Sequence, residues 1–226
     1  MALAEVSGEV MKYSRWKATY GIFRAAVQAL ALLGALASAD ARTLQLVAFG
    51  DSLTAGYGLK AGVRFPEVLE RELKSAGYDV KVINAGVSGD TAEDGLARFD
   101  WSVPEGTDAL IVELGANDML RGMAVDGAKQ ALSAILEKAR QAHIPTLLAG
   151  MRAAPNFGPD YRGAYDQLFP DLARRYGVAL YPFFLDGVAA DPKLNQPDGL
   201  HPNAEGVKIV VARMLPSVEA LLTKLK

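Results

Sequence analysis

Residues 44–58, LQLVAFGDSLTAGYG, contain the pattern that decides the fold. The run Leu44–Phe49 is short and almost continuously apolar, and a segment rich in glycine and polar residues begins at Gly50. Short apolar runs that end at turn residues are typical of strands buried on both faces of a parallel sheet. The stretch therefore predicts a buried β-strand that leads directly into a polar loop.

Similar apolar runs recur along the chain and alternate with helical patterns. The further predicted strands are Val80–Ile83, Ala109–Leu114, Thr146–Ala149 and Val178–Leu180. The predicted helices are Phe65–Ala76, Val125–Ala142, Tyr161–Tyr176 and Asn203–Leu222. This alternation favours an α/β fold in which helices cover both faces of a parallel sheet. Since no internal repeat or linker is visible, residues 42–226 are predicted to form one domain.

The overall composition excludes several classes of protein and of site. The chain has 226 residues, with 24 Lys and Arg against 26 Asp and Glu, and a formal net charge of −2. This balance gives no electrostatic reason to expect nucleic-acid binding. The absence of cysteine excludes disulfides, cysteine-ligated metals and a cysteine nucleophile, and two histidines are too few for a histidine-rich metal centre. Because half of its residues are hydrophobic, the chain is expected to fold.

Residues 1–41 have the organisation of a secretory signal peptide. The basic residues that precede its apolar segment are Lys12, Arg15, Lys17 and Arg24. The apolar segment, Ala25–Ala37, is short for a bilayer span, which needs about 20 residues, and small residues suited to cleavage follow it at Ala37–Ala41. We therefore expect a periplasmic or secreted protein that has no stable membrane span after cleavage behind Ala39 or Ala41.

The N-terminal region also allows other interpretations. Glu5 and Glu9 are unusual in a basic leader, so either Met11 is the true start or residues 1–10 are an extension of the signal. The alternatives to a signal peptide are an amphipathic or buried N-terminal helix and an uncleaved membrane anchor.

Four polar segments that contain glycine follow predicted strands or precede the last helix. They are Gly50–Gly58, Asn84–Thr91, Gly115–Asp118 and Asp198–Asn203. In parallel sheets, ligands bind beyond the carboxyl ends of the strands. We therefore expect the four segments to meet at one edge of the sheet.

Side chains in these segments have the chemistry that acyl transfer requires. Ser52 follows the first strand directly, and Asp198 precedes His201 by three residues. Asp198 is spaced to curl back onto one ring nitrogen of His201, which would leave the other nitrogen facing Ser52. The backbone N–H groups of Ser52 and Gly89 and the side-chain amide of Asn117 are candidate donors to an oxyanion.

Each of these residues also has a structural interpretation. Ser52 and Asn117 are suited to capping helices, Gly89 to a tight turn, and Asp198 and His201 to a surface turn. We favour catalysis because these residue types occur together at the ends of predicted strands.

The four segments together resemble the sequence blocks of the SGNH, or GDSL, hydrolase family. The matching blocks are Gly50–Leu53, Asn84–Thr91, Gly115–Asp118 and Asp198–His201. Their order and spacing fit over essentially all of the predicted mature chain. The longer strings Gly50–Gly58 and Val112–Asp118 look closer still to the branch that contains bacterial periplasmic arylesterases and thioesterase I/lysophospholipase enzymes.

This resemblance carries expectations about fold, activity and site. It implies a flavodoxin-like three-layer α/β/α fold with a mostly parallel sheet, and a serine esterase that hydrolyses carboxylic esters and thioesters through an acyl-enzyme. It implies that Ser52 is the nucleophile, His201 the base and Asp198 the group that orients the base, with Ser52, Gly89 and Asn117 as the oxyanion hole. No cofactor and no metal is expected, and the partner is a small-molecule acyl ester or thioester.

Apolar side chains on the same loops are candidates to contact the acyl chain. They are Tyr57, Met119, Leu120 and Phe157, for which ordinary packing is the alternative. A carbohydrate O-deacetylase would use the same triad, but it would be expected to carry more stacking aromatic residues. An aspartyl phosphatase would need a second acidic residue at position 53, where this chain has Leu53. A non-catalytic binding protein would not need serine, histidine and aspartate together.

Overall fold

The structure is a computed structural model that describes residues 42–225. The strands are β1 (Leu44–Gly50), β2 (Val80–Gly86), β3 (Ala109–Glu113), β4 (Thr146–Ala149) and β5 (Ala179–Tyr181). The helices are α1 (Ser52–Ala55), α2 (Phe65–Ser75), α3 (Ala92–Ser102), α4 (Ala116–Leu120), α5 (Val125–Gln141), α6 (Pro159–Tyr176) and α7 (Ala204–Thr223). The predicted signal peptide at residues 1–41 lies outside the described residues.

The five strands form one sheet in the order β2-β1-β3-β4-β5, and every pair is parallel. The side chains of Leu46–Phe49 in β1 and Ala109–Val112 in β3 are inaccessible to solvent, whereas Lys81 on the edge strand β2 is exposed. The central strands are thus covered on both faces, which explains why they read as continuous apolar runs rather than alternating ones. The predicted parallel α/β sheet is confirmed.

The strand order places the helices in two outer layers. The chain moves from β1 outward to β2, and then back past β1 to β3, β4 and β5. Because connections between parallel strands are right-handed, this reversal puts α2 on one face and α3, α5 and α6 on the other. The helix contacts agree, since α2 packs against α7, α3 against α5, and α5 against α6. The predicted three-layer α/β/α arrangement is therefore confirmed.

The reversal also creates a crevice between β1 and β3. Gly50 at the end of β1 is in register with Glu113 at the end of β3. The segment after β1 leads to β2 on one side, and the segment after β3 leads to β4 on the other side. In open α/β sheets, ligands bind at such a switch point. Ser52 begins the short helix after β1, and Asn117 lies in the short helix after β3.

The main difference from the sequence prediction lies in the helices. All five predicted strands are present, but α1, α3 and α4 were not predicted, and α6 begins at Pro159 rather than Tyr161. Helix α3 begins with a capping box in which Thr91 and Asp94 bond each other's backbone N–H groups. Across residues 42–225, no helix is both long enough and apolar enough to cross a membrane.

Candidate active site

Ser52, His201 and Asp198 form a continuous chain of hydrogen bonds at the carboxyl edge of the sheet. The Oγ of Ser52 lies 2.8 Å from Nε2 of His201, although 149 residues separate them in sequence. The other ring nitrogen of His201, Nδ1, lies 2.7 Å from Oδ2 of Asp198. This arrangement allows the imidazole to accept the serine proton while the carboxylate stabilises the resulting imidazolium.

The segment that carries His201 is shaped by its own aspartate. Oδ1 of Asp198 accepts hydrogen bonds from the backbone N–H groups of Leu200, at 2.9 Å, and His201, at 3.0 Å. Gly199, with φ of +70°, permits the tight bend between them. These bonds, led by that from the His201 N–H, lower the pKa of Asp198 to about 2. Asp198 is therefore ionised wherever the imidazole could act as a base.

Gln196 joins the histidine segment to the serine segment, and no sequence pattern predicts this contact. Its Nε2 donates to the carbonyl of Tyr57 at 2.7 Å and to that of Pro202 at 3.1 Å. Its backbone N–H donates to the carbonyl of His201 at 2.7 Å. The ring of Tyr57 lies 4.8 Å from that of His201. The loop after α1 and the turn that carries His201 therefore support each other.

Asp51 supports the site from beneath Ser52. It is fully buried, and its Oδ1 caps α1 by accepting from the backbone N–H of Leu53 at 2.9 Å. Its Oδ2 accepts from the side-chain amide of Asn117 at 3.0 Å. The sequence left the role of Asp51 ambiguous, and the structure places it between the helix of Ser52 and the helix of Asn117.

A second buried acid, Glu113, lies directly behind Asp51. Its Oε2 accepts from Thr54 Oγ1 at 2.8 Å and from the backbone N–H of Asp51 at 3.4 Å. Its Oε1 has no hydrogen-bond partner within residues 42–225. Burial, together with the charge of Asp51, holds the pKa of Glu113 well above its usual range, and burial raises the pKa of Asp51 to about 6. Both acids therefore hold their protons more strongly in the folded chain than they would in an unfolded one.

We expect Glu113→Gln to weaken the pH dependence of stability. Raised carboxyl pKa values mean that the folded state binds more protons than the unfolded state, so the free energy of unfolding decreases as pH rises through the window from about 4 upward. Glutamine mimics the neutral acid but has no proton to lose. Urea unfolding at a series of pH values should therefore give a shallower decrease for this variant. The control is the exposed Glu105→Gln, which should keep the wild-type dependence. If the free energy of unfolding changes equally with pH in the wild type and in the Glu113 variant, the prediction is wrong.

The predicted oxyanion donors lie on three segments, which follow β1, β2 and β3. Within the described residues, the backbone N–H groups of Ser52 and Gly89 donate to no protein atom. Gly89 has φ of +91°, and its carbonyl accepts from Arg121 at 2.6 Å. The Nδ2 of Asn117 bonds the Asp90 carbonyl at 2.9 Å as well as the Asp51 carboxylate. An oxyanion would therefore share the amide of Asn117 with the Asp90 carbonyl.

The four candidate acyl-contact residues lie in different environments. Tyr57 and Leu120 are about half exposed, at 54% and 47%. Phe157 is partly buried, and its ring stacks on Tyr161 at 4.9 Å. Met119 is only 5% exposed and packs in the hydrophobic core. Its burial agrees with ordinary packing, the alternative stated for it, and a contact between Met119 and the acyl chain stays a prediction.

Exposed apolar side chains cluster on the loops that carry the candidate site. Among residues 42–225, six large apolar side chains are prominently exposed, and only Trp101 lies outside these loops. The others, here called the apolar rim, are Tyr57, Val87, Leu120, Met123 and Leu200. When exposed apolar side chains form a contiguous patch, the patch commonly marks a surface that binds a ligand or partner. In the same part of the chain, no cluster of three or more His, Cys, Asp or Glu side chains is arranged to hold a metal ion.

Comparison with known proteins agrees with this geometry. The GDSL-like Lipase/Acylhydrolase family matches residues 48–209, which include Ser52, Asp198 and His201. The chain belongs to this family of hydrolases. Esterase TesA of Pseudomonas aeruginosa is 38% identical to it over 203 residues, which cover 87% of this chain and 100% of that protein. The family resemblance seen in the sequence is confirmed.

Two further similar proteins illustrate the extent of the similarity. The protein named Thioesterase 1/protease 1/lysophospholipase L1 of Escherichia coli K12 is 35% identical over 178 residues, which cover 78% of this chain and 84% of that protein. The crystal structure of AlinE4, titled an SGNH-hydrolase family esterase, is 46% identical, with a TM-score of 0.68 over 80% of this chain and 97% of that chain. The similarity thus covers most of the described residues.

Proposed function

We propose that this GDSL-family hydrolase cleaves carboxylic esters and acyl thioesters through an acyl-enzyme on Ser52. The observation that carries the proposal is the hydrogen-bonded chain from Asp198 through His201 to Ser52, with 2.7 and 2.8 Å between its polar atoms. A structural serine or a surface histidine would not need both contacts at once.

The first half of the reaction forms the acyl-enzyme. Ser52 Oγ attacks the carbonyl carbon as His201 Nε2 takes its proton, and Asp198 stabilises the imidazolium. The tetrahedral intermediate then collapses, His201 returns the proton to the leaving alcohol or thiol, and the acyl group remains on Ser52. In the second half, His201 activates a water molecule that attacks the acyl carbon, and the released proton restores Ser52.

The oxyanion formed in both halves is stabilised by the N–H groups of Ser52 and Gly89 and by the amide of Asn117. We expect Asn117→Ala to lower kcat by about 10²–10³-fold with little change in KM, because such a donor acts on charge that develops in the transition state. Steady-state kinetics on a p-nitrophenyl ester would measure both constants, with the exposed Asn156→Ala as the control. A rise in KM with kcat unchanged would assign Asn117 to substrate binding instead.

The apolar rim supports an aliphatic or aryl acyl substrate over an acetylated carbohydrate. Its members offer apolar surface around the site, and Tyr57 and Phe157 are few aromatics for stacking sugar rings. A panel of acyl esters, acyl thioesters, lysophospholipids and acetylated sugars would test this choice. Preferential turnover of the acetylated sugars would favour the carbohydrate O-deacetylase, which uses the same triad.

We also propose that the chain is exported, with residues 1–41 as its signal. The support is the basic stretch, apolar segment and small-residue exit at residues 12–41. N-terminal sequencing of the protein recovered from the periplasm or medium should begin at Asp40 or Arg42. Recovery of an intact N-terminus would overturn this part of the proposal.

A further inference from the structure

Arg98 on α3 is a buried cation that lies beneath the loop carrying Gly89. Arg98 is only 9% exposed. Its Nε donates to Oδ2 of Asp90 at 2.5 Å, and its guanidinium lies 4.3 Å from the ring centroid of Phe49. Burial of a charge is costly unless the charge is paired. The carboxylate and the aromatic face compensate part of that cost, and three of the four remaining N–H groups have acceptors of their own.

Two of these other acceptors are carbonyl groups at the ends of neighbouring strands, and the third is a hydroxyl at the end of α3. One terminal nitrogen donates to the carbonyl of Gly50 at 2.8 Å, and the other to the carbonyl of Ala85 at 2.9 Å and to Ser102 Oγ at 3.1 Å. Gly50 precedes Asp51 and Ser52, and its carbonyl also accepts from the backbone N–H of Val87 at 3.0 Å. One guanidinium therefore holds the end of β1, the end of β2 and the loop between Val87 and Thr91.

The same loop reaches Asn117 through its backbone. Asp90, whose side chain is held by Arg98, places its carbonyl 2.9 Å from Nδ2 of Asn117. Gly89, immediately before it, carries a backbone N–H that faces no protein acceptor in the described chain. The position of Asp90 thus affects two of the three groups to which oxyanion stabilisation is assigned.

We propose that Arg98 is a positioning residue that fixes the Gly89 loop relative to Ser52 and Asn117. This inference rests on the proposed function, because it concerns the oxyanion donors of that reaction. A planar guanidinium can donate in several fixed directions at once, whereas a lysine ammonium is a compact charge on a flexible stem. A positive charge alone therefore does not replace Arg98. Loss of Arg98 should weaken stabilisation of the transition state more than it weakens substrate binding.

The test compares Arg98→Met and Arg98→Lys with the wild-type chain and with Arg140→Met. Arg140 pairs with Glu137 on the exposed surface of α5, so its replacement removes an arginine ion pair away from the site. The burst of p-nitrophenol from a p-nitrophenyl ester counts the competent sites in each protein. We then measure steady-state kcat per competent site, KM and the pH profile. We also measure affinity for an alkylboronic acid, which forms a tetrahedral anion on serine.

We expect both Arg98 variants to lose kcat per competent site by about 10–10³-fold, which at its upper end equals the loss found when an oxyanion donor is removed. KM should stay within a few-fold of wild type. Affinity for the boronic acid should decrease in parallel, while the shape of the pH profile stays that of the wild-type chain. Arg140→Met should match wild type. A normal kcat per competent site, with only the number of competent sites reduced, would mean that Arg98 serves folding alone and would overturn the inference.

Two outcomes separate this inference from the function on which it rests. If wild type gives no burst and no label on Ser52 from an organophosphonate, the proposed function fails. If wild type gives both and the Arg98 variants turn over normally, only the positioning role fails. Should the Arg98 variants not fold, Asp90→Ala removes the contact with the loop and leaves the bonds from Arg98 to Gly50 and Ala85. Wild-type kcat per site in that variant would also overturn the inference.

Discussion

Replacing Ser52 with alanine is expected to lower kcat by roughly 10⁴–10⁶-fold, the range found when the nucleophile of a serine hydrolase is removed. Alanine cannot form the acyl-enzyme, although His201 and the oxyanion donors remain in place. The fold should be unaffected, because Asp51 rather than Ser52 caps α1. The measurements are turnover of a p-nitrophenyl ester, the pre-steady-state burst, and intact mass after treatment with an organophosphonate.

The control for this prediction is Ser75→Ala, which removes a hydroxyl that bonds the carbonyl of Arg71 on the exposed end of α2. It should keep the burst, the phosphonate adduct and the wild-type rate. Near-normal hydrolysis by the Ser52 variant would refute its role as nucleophile. A phosphonate adduct that survives the replacement would place the reactive group elsewhere in the chain.

The sheet was predictable because its strands are buried on both faces. Such strands must be continuously apolar, so β1 and β3 stand out against any helical pattern. Helix α3 was not predictable on the same basis, since its sequence mixes polar and apolar residues and contains Gly95. A Cβ at Gly95 would lie 2.4 Å from a methyl group of Leu114, so close packing on the sheet explains a residue that weakens the helical pattern.

The juxtaposition of the candidate catalytic residues was predictable from topology alone. Ser52 and Asn117 follow β1 and β3, whose carboxyl ends are brought to one edge by parallel pairing, and His201 lies just before α7, the helix that follows β5. Contacts beneath the site were not predictable, because they depend on how side chains pack. Nothing in the sequence shows that Arg98 reaches Gly50, or that Gln196 reaches Tyr57.

Replacing Asp198 with asparagine tests the orienting role that the hydrogen bonds suggest. The amide oxygen of Asn can still accept from the backbone N–H groups of Leu200 and His201, so the turn is retained. Its NH₂ group, however, would face Nδ1 of His201. That nitrogen would then have to be unprotonated, which puts the ring proton on Nε2, where it points at Ser52 and blocks proton transfer. We expect kcat to decrease by about 10³–10⁴-fold at neutral pH.

The measurement that separates this explanation from general damage is the tautomer of His201, read from the ¹⁵N shifts of its ring. Wild type should carry the neutral-ring proton on Nδ1, and the Asp198 variant on Nε2. Asp171→Asn, which alters an exposed ion pair with Arg174 on α6, should change neither the tautomer nor kcat. Because the pKa of Asp198 is lowered to about 2, Asp198 stays ionised above about pH 4. Any change in the wild-type rate with pH above that value therefore comes from other groups. An Asp198 variant that keeps the Nδ1 tautomer and still loses activity would show that the carboxylate acts through its charge, and not by selecting the tautomer.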